Sequence, residues 1–250
     1  MRRPVRVSPE TSEVDWNIFM APRTDTLAKV PLFRSLAADA IAALDRQCSW
    51  RRAPAGQWII DYQDASSDVF FVVSGAVRVV IQSAGREVLL RQINAGELFG
   101  ELAAIDKAPR SSGIVAMTDV TVARMSAAVF RAAVHAHPDV CDQVLALLAG
   151  QIRMLANRVN EFSTLDVRHR IHAELLRLSR TEPADPARAV ISPPPVHAEI
   201  AARISTRREA VARELKALER DNLIERRRGA LVLTDVDRLR RMINEAIEAG

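Results

Sequence analysis

The chain has 250 residues, of which 48% are hydrophobic and 26% are charged, and its formal net charge is +4 at pH 7. This composition excludes a disordered chain and a histone-like polycation, and the length suits two modest globular domains. The two cysteines, Cys48 and Cys141, lack Cys-x-x-Cys spacing, so no disulfide framework, zinc site or iron–sulfur cluster is expected. The sequence contains no recognisable signal peptide and no apolar run of about 18 residues, which predicts a cytoplasmic protein without a membrane span.

The N-terminal half changes its pattern twice along the chain. Residues 1–24 contain three prolines and scattered charges, which predicts a flexible tail. The Ala- and Leu-rich stretch from Leu27 to Cys48 has helical spacing interrupted at Pro31. Residues 50–125 then contain short runs of β-branched and aromatic residues separated by glycine-containing turns, which is typical of a sandwich or roll. We therefore expect a β-roll domain over residues 25–137.

Residues 138–163 are predicted to form one long helix with an apolar seam. The seam positions alternate in steps of four and three over about three heptads: Cys141, Leu145, Leu148, Ile152, Leu155, Val159 and Phe162. One interpretation is a helix packed on its own domain. A stripe of two positions per heptad is narrower than a globular core requires, which favours a parallel helix pair across a homodimer. Ser163 or Thr164 is expected to cap the next helix after a hinge.

Residues 164–250 contain a helix-turn-helix pattern followed by a hairpin. In "HAEIAARISTRREAVARELKALERDNLIERRRGALVLTD" two short helical stretches flank a turn at about residues 204–206. The second stretch places Arg208, Glu209 and Arg213 near its N-terminal end, where recognition helices meet base edges. Arginine matches the O6 and N7 acceptors of guanine, and glutamate can accept from the N4 amine of cytosine. A solvated, salt-bridged helix is the alternative, but the arginines of "ERRRG" form a wing suited to phosphates and favour DNA.

The stretch "FGELAAIDKAPRSSG", residues 99–113, combines a carboxylate, a guanidinium and two hydroxyls. Such a set suits a small ligand that carries both a negative charge and a hydroxyl. The planar, always-charged fork of Arg110 can hold two anionic oxygens at once. A structural ion pair between Glu101 and Arg110 is the alternative interpretation.

In this order, the motifs resemble the bacterial cyclic-AMP receptor protein family, the CRP/FNR transcription regulators. The resemblance runs from about Leu27 to about Leu233 and is carried by "VVSGAVRVV", "AGELFGELAAIDKAPRSS", the seam helix, "TLDVRHRIHAELL" and "RREAVARELKALERDNLI". It implies an α+β protein: an N-terminal cyclic-nucleotide-binding β-roll (a double-stranded β-helix or jelly roll), a dimerisation helix over 138–163, and a C-terminal winged helix-turn-helix. The implied function is that of a homodimeric transcription regulator, not an enzyme, switched by cAMP or by cGMP.

The resemblance also assigns a ligand site without a metal. By this likeness Arg110 would hold the cyclic phosphate and Glu101 the ribose 2′-hydroxyl, within a set comprising Phe99, Gly100, Glu101, Leu102, Arg110, Ser111, Ser112 and Asn157. The positions that carry a Thr-Ser pair in enterobacterial receptors hold Leu155 and Ala156 here, and neither can hydrogen-bond an adenine amine. Asn157 or Asn160 would have to substitute. A regulator of the same family that responds to cyclic di-GMP, or to no ligand, is the alternative.

The DNA-binding positions and partners follow from the same resemblance. Arg208, Glu209 and Arg213 would read a TGTGA-like half-site, while Arg207 and Arg227 would contact phosphates. The implied partners are palindromic double-stranded DNA, a second copy of the chain and RNA polymerase. The implied switch rotates the DNA-binding domains about residues 162–166.

Overall fold

The protein divides into two compact units, described here from a computed structural model that covers residues 17–18, 26–83 and 86–249. The first unit comprises residues 1–81 and 91–144, and the second comprises 82–90 and 145–250. The predicted flexible tail lies outside the described residues, except for a two-residue strand that pairs with Arg51 and Arg52. The strands are β1 Asn17–Ile18, β2 Cys48–Ala53, β3 Trp58–Ile60, β4 Val69–Ser74, β5 Ala76–Ser83, β6 Arg86–Asn94, β7 Leu98–Phe99, β8 Gly113–Ala116, β9 Val120–Met125, β10 Arg180–Glu182, β11 Asp185–Ile191, β12 Ile224–Arg227 and β13 Ala230–Leu233. The helices are α1 Ala38–Asp45, α2 Glu101–Asp106, α3 Ala127–Ala136, α4 Pro138–Thr164, α5 Val167–Leu178, α6 His197–Arg203, α7 Arg208–Arg220 and α8 Val236–Ala249.

The first unit is built on two sheets, which confirms the predicted roll. One sheet has the order β1-β2-β9-β4-β7 and the other β3-β8-β5-β6. Strand β4, which lies between β9 and β7, is buried at five successive positions because both of its faces are covered. Phe71 packs against Phe33 and Phe130, with ring centroids 5.1 and 6.5 Å away. Because β4 pairs with β7, this core lies beside the segment that follows β7.

Helix α4 has 27 residues and carries the predicted seam. Its first turns contribute Val140 and Val144 to the buried core. From there on, apolar seam side chains are between 38% and 67% exposed: Leu145, Ile152, Leu155, Val159 and Phe162. Packing on its own domain therefore accounts only for the beginning of α4. The apolar stripe over the remaining turns is uncovered in a single chain.

The helix that follows α4 is capped by Asp166, and the expectation of a Ser163 or Thr164 cap is wrong. The Asp166 carboxylate accepts a hydrogen bond from the backbone N–H of His169 at 2.9 Å. The hydroxyls of Ser163 and Thr164 instead donate to carbonyls one turn earlier in α4. All three residue types can cap a helix, so the actual end of α4 decides which of them does.

The second unit combines the predicted helix-turn-helix and wing with a hairpin that the sequence did not reveal. Helices α6 and α7 are separated by residues 204–207, and the wing strands β12 and β13 pair antiparallel. Val211, Leu215 and Leu218 are buried, as their periodicity predicts. The Pro-rich segment after α5 holds β10 and β11, and β11 extends the wing sheet through β13. Helix α8 adds Val236 and Leu239 to the same core.

Within the described ranges, no helix combines the length and the apolarity needed to cross a membrane.

Candidate functional site

The turn from β7 into α2 requires a glycine at position 100. Gly100 is the N-cap of α2 and has a φ of +84°, a conformation that side chains disfavour. A Cβ atom there would lie 2.7 Å from Nη1 of Arg110 and 2.8 Å from the carbonyl oxygen of Asp68. A side chain at this position would therefore collide with the guanidinium of Arg110 and with the backbone of Asp68.

The guanidinium of Arg110 is buried and held by three hydrogen bonds. It is 3% exposed. Its Nη1 donates to the carbonyl of Gly100 at 2.9 Å, Nη2 to the carbonyl of Asp68 at 2.8 Å, and Nε to the hydroxyl of Ser66 at 3.1 Å. Burial lowers the pKa of Arg110, and the carboxylates of Asp68, Asp64 and Glu101 oppose that effect. An arginine retains its proton under such opposing effects, so the segment presents a fixed cation.

Glu101 lies in the first turn of α2 and is 4% exposed. Its carboxylate is therefore buried in the same segment as the guanidinium, and its role toward a ribose hydroxyl stays a prediction. The hydrogen bonds that orient Arg110 go to two carbonyls and a hydroxyl. These neutral acceptors orient the guanidinium, and the negative charge of Glu101 favours its charged form.

Ser66, Asp68 and Arg124 support Arg110, and sequence reasoning missed all three. Arg124 donates to the carboxylate of Asp68 from Nε at 2.8 Å and from Nη2 at 2.5 Å. The backbone carbonyl of the same Asp68 accepts from Arg110. An aspartate directly before a buried strand was the available signal, and by itself it does not identify a partner 42 residues away.

The remaining predicted ligand residues differ in exposure. Phe99 is buried and stacks on Phe70 with centroids 5.0 Å apart, so its side chain belongs to the core and only its backbone can face a ligand. Leu102 and Ser111 are exposed, and Ser112 is half-buried. Asn157 is exposed on α4, and its role as a base contact stays a prediction.

The predicted base-reading residues are exposed on the first turns of α7. The side chains of Arg208 and Glu209 are 75% and 66% exposed, and Nε of Arg208 donates to Glu209 at 2.9 Å. The pKa of the Glu209 carboxyl is lowered by its own backbone N–H and by Arg208. Arg207 is the N-cap of α7, and Arg213 is exposed one turn further on. A cleft of about 580 Å³ at this end of the helix is lined by Ser205, Thr206, Arg207, Glu209, Ala210 and Arg213.

The wing arginine Arg227 is paired with a carboxylate in the free protein. Its Nε and Nη2 both donate to Glu225 at 3.2 Å, which raises the pKa of Arg227. Glu225 also accepts from Arg188 at 3.0 Å. A phosphate contact by Arg227 would therefore require exchange of its Glu225 hydrogen bonds, a competition that the sequence alone did not indicate.

A buried histidine joins the recognition helix α7 to α5. Nε2 of His172 donates to Glu214 at 2.7 Å, and Nε of Arg168 donates to the same carboxylate oxygen at 3.1 Å. The neighbouring His169 ring meets His172 edge-on at 5.5 Å. Nδ1 of His172 is buried, and within the described part of the chain it has no hydrogen-bond partner. Burial lowers the pKa of His172, although Glu214 opposes this.

We expect the DNA-binding domain to lose stability as the pH falls below about 6.5. The unfolded chain binds a proton at His172 more readily than the folded domain does. Each unit by which the pH falls therefore lowers the free energy of unfolding by up to about 1.4 kcal/mol through this group. The measurement is the urea midpoint of that domain's unfolding in the full chain between pH 5 and 8. His172→Gln should flatten this dependence and the matched His169→Gln should retain it. If the urea midpoint of His172→Gln depends on pH as steeply as that of the unmodified protein, the role of His172 is contradicted.

Among the described residues, no group of three or more His, Cys, Asp or Glu side chains is arranged to hold a metal ion.

Two family models match the chain in the order of these sites. The cyclic nucleotide-binding domain matches residues 50–137. The Crp-like helix-turn-helix domain matches residues 169–242. The first range contains the Arg110 segment and the second contains α7 and the wing.

Known relatives and solved structures are similar to the chain over most of its length. The CRP-like cAMP-activated global transcriptional regulator of Mycobacterium tuberculosis is 26% identical over 87% of this chain and 98% of its own length. A mutant of CooA from Carboxydothermus hydrogenoformans has a TM-score of 0.74 at 20% identity, over 89% of this chain and 97% of that one. The c-di-GMP-responsive regulator CLP of Xanthomonas campestris has a TM-score of 0.64 at 23% identity, over 79% and 99%. These two likenesses show the fold.

The Arg110 segment lies in the region that matches the first family model, α7 and the wing lie in the region that matches the second, and a homologous regulator is similar over 87% of the chain. The chain belongs to the CRP/FNR family of transcription regulators.

Proposed function

We propose that the protein is a homodimeric regulator whose affinity for specific DNA is switched by a cyclic nucleotide bound at residues 99–112. The observation that carries this proposal is the buried, permanently charged Arg110 beside Gly100 and Glu101 at the start of α2. A 3′,5′-cyclic phosphate is a monoanion with two free oxygens, which matches a guanidinium fork. The neighbouring carboxylate of Glu101 suits the ribose 2′-hydroxyl as an acceptor.

We favour cAMP as the effector. Support comes from the Mycobacterium tuberculosis relative, which is described as cAMP-activated and is matched over 98% of its length. The predicted base-contact positions on α4 do not distinguish adenine from guanine, because the side chains of Leu155 and Ala156 offer no hydrogen bond to either base. cGMP therefore belongs in the same experiment.

Isothermal calorimetry of the full chain with cAMP, cGMP and cyclic di-GMP tests the proposal. The expected result is saturable binding of one cyclic mononucleotide per chain, with cAMP the tighter ligand. Binding of cyclic di-GMP alone would show that the effector is not a cyclic mononucleotide. No heat of binding with any of the three would contradict a nucleotide switch.

The exposed seam of α4 supports the homodimer. A stripe of Leu, Ile, Val and Phe in heptad spacing is typical of a helix that pairs with a second copy. A symmetric dimer would present two α7 helices to half-sites about 34 Å apart, which suits a palindromic site. Such a protein would act by binding DNA and RNA polymerase in the cytoplasm, without catalysis.

Ile152→Asp combined with Val159→Asp is expected to convert the dimer into a monomer. Each carboxylate would have to be buried in the apolar seam, which is strongly unfavourable without a partner. Sedimentation velocity should show the mass fall from that of two chains to that of one. The matched variant Arg153→Asp with Asn160→Asp places carboxylates on neighbouring exposed positions and should remain dimeric. A dimer that survives the seam substitutions would contradict this interface.

A further inference from the structure

One carboxylate on the wing contacts arginines from two different strands. Oε1 of Glu225 accepts a hydrogen bond from Nε of Arg227, and its Oε2 accepts one from Nη2 of Arg227, both at 3.2 Å. The same Oε2 accepts from Nη2 of Arg188 at 3.0 Å. Nε of Arg188 lies 3.5 Å from a carboxylate oxygen of Glu182. We call these four side chains, whose formal charges balance, the Glu225 cluster.

The Glu225 cluster extends across the whole sheet of the second unit on the face that points away from the core. Glu225, Val232 and Val190 are register partners on adjacent strands and therefore share one face. Arg188 and Arg227 share it too, because each lies two residues from a member of this row. The neighbours of Val232 along β13 point the other way and belong to the core. The contact between Arg188 and Glu225 spans β13, where Val232 is only 1% exposed.

Arg227 is the end of the cluster that DNA can reach first. It forms the last strand pair of the wing hairpin with Ala230. Its side chain is 46% exposed, whereas that of Arg188 is 26% exposed. Arg188 is also held between two carboxylates, Glu182 and Glu225. An anion that approaches the tip of the wing therefore meets Arg227 before Arg188.

Glu225 offers Arg227 the same kind of partner that DNA would offer. A carboxylate and a phosphate each present two oxygens to the planar fork of a guanidinium. Nε and Nη2 of Arg227 already donate to the two oxygens of Glu225, so a phosphate can use this edge only by replacing the carboxylate. The pKa of Glu225 is lowered chiefly by its hydrogen bond from Arg227, which keeps the competing carboxylate ionised at neutral pH.

Arg188 determines what happens to Glu225 after such an exchange. When Arg227 moves to a phosphate, Glu225 can retain its hydrogen bond from Arg188 at 3.0 Å. Without this cation, an unpaired negative charge would remain beside the DNA backbone, and its repulsion would oppose binding.

We propose that Glu225 competes with DNA phosphate for Arg227 and thereby weakens binding to DNA of any sequence, while Arg188 keeps Glu225 paired once a phosphate has replaced it. This inference rests on the proposed function, because it requires the wing to contact DNA. It adds a residue that opposes DNA binding to the residues that promote it. The competition concerns phosphate and not bases, so it leaves the ratio of specific to non-specific affinity unchanged.

Glu225→Gln is expected to raise the affinity of the full chain for a TGTGA-like duplex and for unrelated DNA alike, by about three- to tenfold at about 0.1 M salt. The plot of log affinity against log salt should steepen by up to about one, because the phosphate no longer replaces an existing ion pair. Fluorescence anisotropy of labelled duplexes measures both quantities, and unrelated DNA is titrated without ligand. Glu245→Gln, which removes an exposed carboxylate from α8, is the control for net charge and should bind within about twofold of the unmodified protein. An unchanged affinity in Glu225→Gln, or an equal gain in Glu245→Gln, would overturn the inference.

A double-mutant cycle separates competition for Arg227 from simple repulsion between Glu225 and DNA. In an Arg227→Gln background, Glu225→Gln should change the affinity less than about twofold, since the side chain for which it competes is absent. An equal gain in both backgrounds would overturn the competition.

Arg188→Gln tests the second half of the proposal. Alone it should lower the affinity for both duplexes about threefold, and this loss should disappear when Glu225→Gln is added. A loss that persists in the double variant would overturn the role of Arg188 in keeping Glu225 paired.

The same titrations distinguish this inference from the proposed function. If Arg227→Gln weakens DNA binding but Glu225→Gln does not strengthen it, the wing contacts DNA and the competition is overturned while the proposed function stands. If the unmodified protein binds neither duplex at low salt, with or without cAMP, the proposed function fails and this inference fails with it.

Discussion

Arg110→Ala is expected to weaken cAMP binding at least 100-fold. A hydrogen bond to a charged group contributes about 1.5–3 kcal/mol, and the guanidinium can offer two to the cyclic phosphate. The loss is therefore about 3 kcal/mol or more, and each 1.4 kcal/mol corresponds to a tenfold change in affinity. Calorimetry with cAMP at fixed ionic strength measures this loss directly. Undiminished binding would contradict the role of Arg110.

The buried position of Arg110 demands a second variant. Its three hydrogen bonds to Gly100, Asp68 and Ser66 also stabilise the fold. Arg110→Ala is therefore expected to lower the stability of the first unit as well. Arg110→Lys keeps the charge but loses the fork, and should bind cAMP with intermediate affinity. Arg34→Ala removes an exposed arginine of the same unit and should bind as the unmodified protein does. If Arg110→Ala and Arg34→Ala bind cAMP with equal affinity, the phosphate site does not lie in this segment.

Arg208→Ala is expected to reduce the discrimination between a TGTGA-like site and unrelated DNA by roughly 1–3 kcal/mol. The predicted role of this guanidinium is to donate base-specific hydrogen bonds, whereas phosphate contacts affect all sequences alike. The measurement is the ratio of specific to non-specific affinity at matched salt in the presence of effector. Arg220→Ala, which removes a charge 79% exposed at the far end of α7, should change both affinities together.

The contact between Arg208 and Glu209 means that the effects of substituting these two residues are expected to be coupled. Nε of Arg208 donates to Glu209 in the free protein, so the two side chains orient each other before DNA is bound. We expect Arg208→Ala and Glu209→Ala to be non-additive in a double-mutant cycle. An unchanged ratio of specific to non-specific binding in Arg208→Ala would exclude it as a base reader.

The amino-acid sequence alone was sufficient to predict the order of the domains and most of the helices and strands. The buried periodicity of Val211, Leu215 and Leu218 and the seam of α4 depend on residues three and four apart, and such spacing is visible along the chain. The Glu101 and Arg110 pair was equally accessible, because both residues belong to one short segment. The hairpin of β10 and β11 was missed because its Pro- and Ala-rich sequence lacks the alternation of a half-buried sheet.

The partners of the buried charges emerged only from the three-dimensional structure. Arg110 is held by Ser66 and Asp68, 44 and 42 residues away. Glu174 gathers arginines from three helices. Local spacing sets which residues share a face of one helix or strand, but the pairing of two distant charges depends on how whole elements pack. A buried charge is stabilised by partners that this packing brings to it, and for this reason the partners of Arg110 and Glu174 could not be recognised from the sequence.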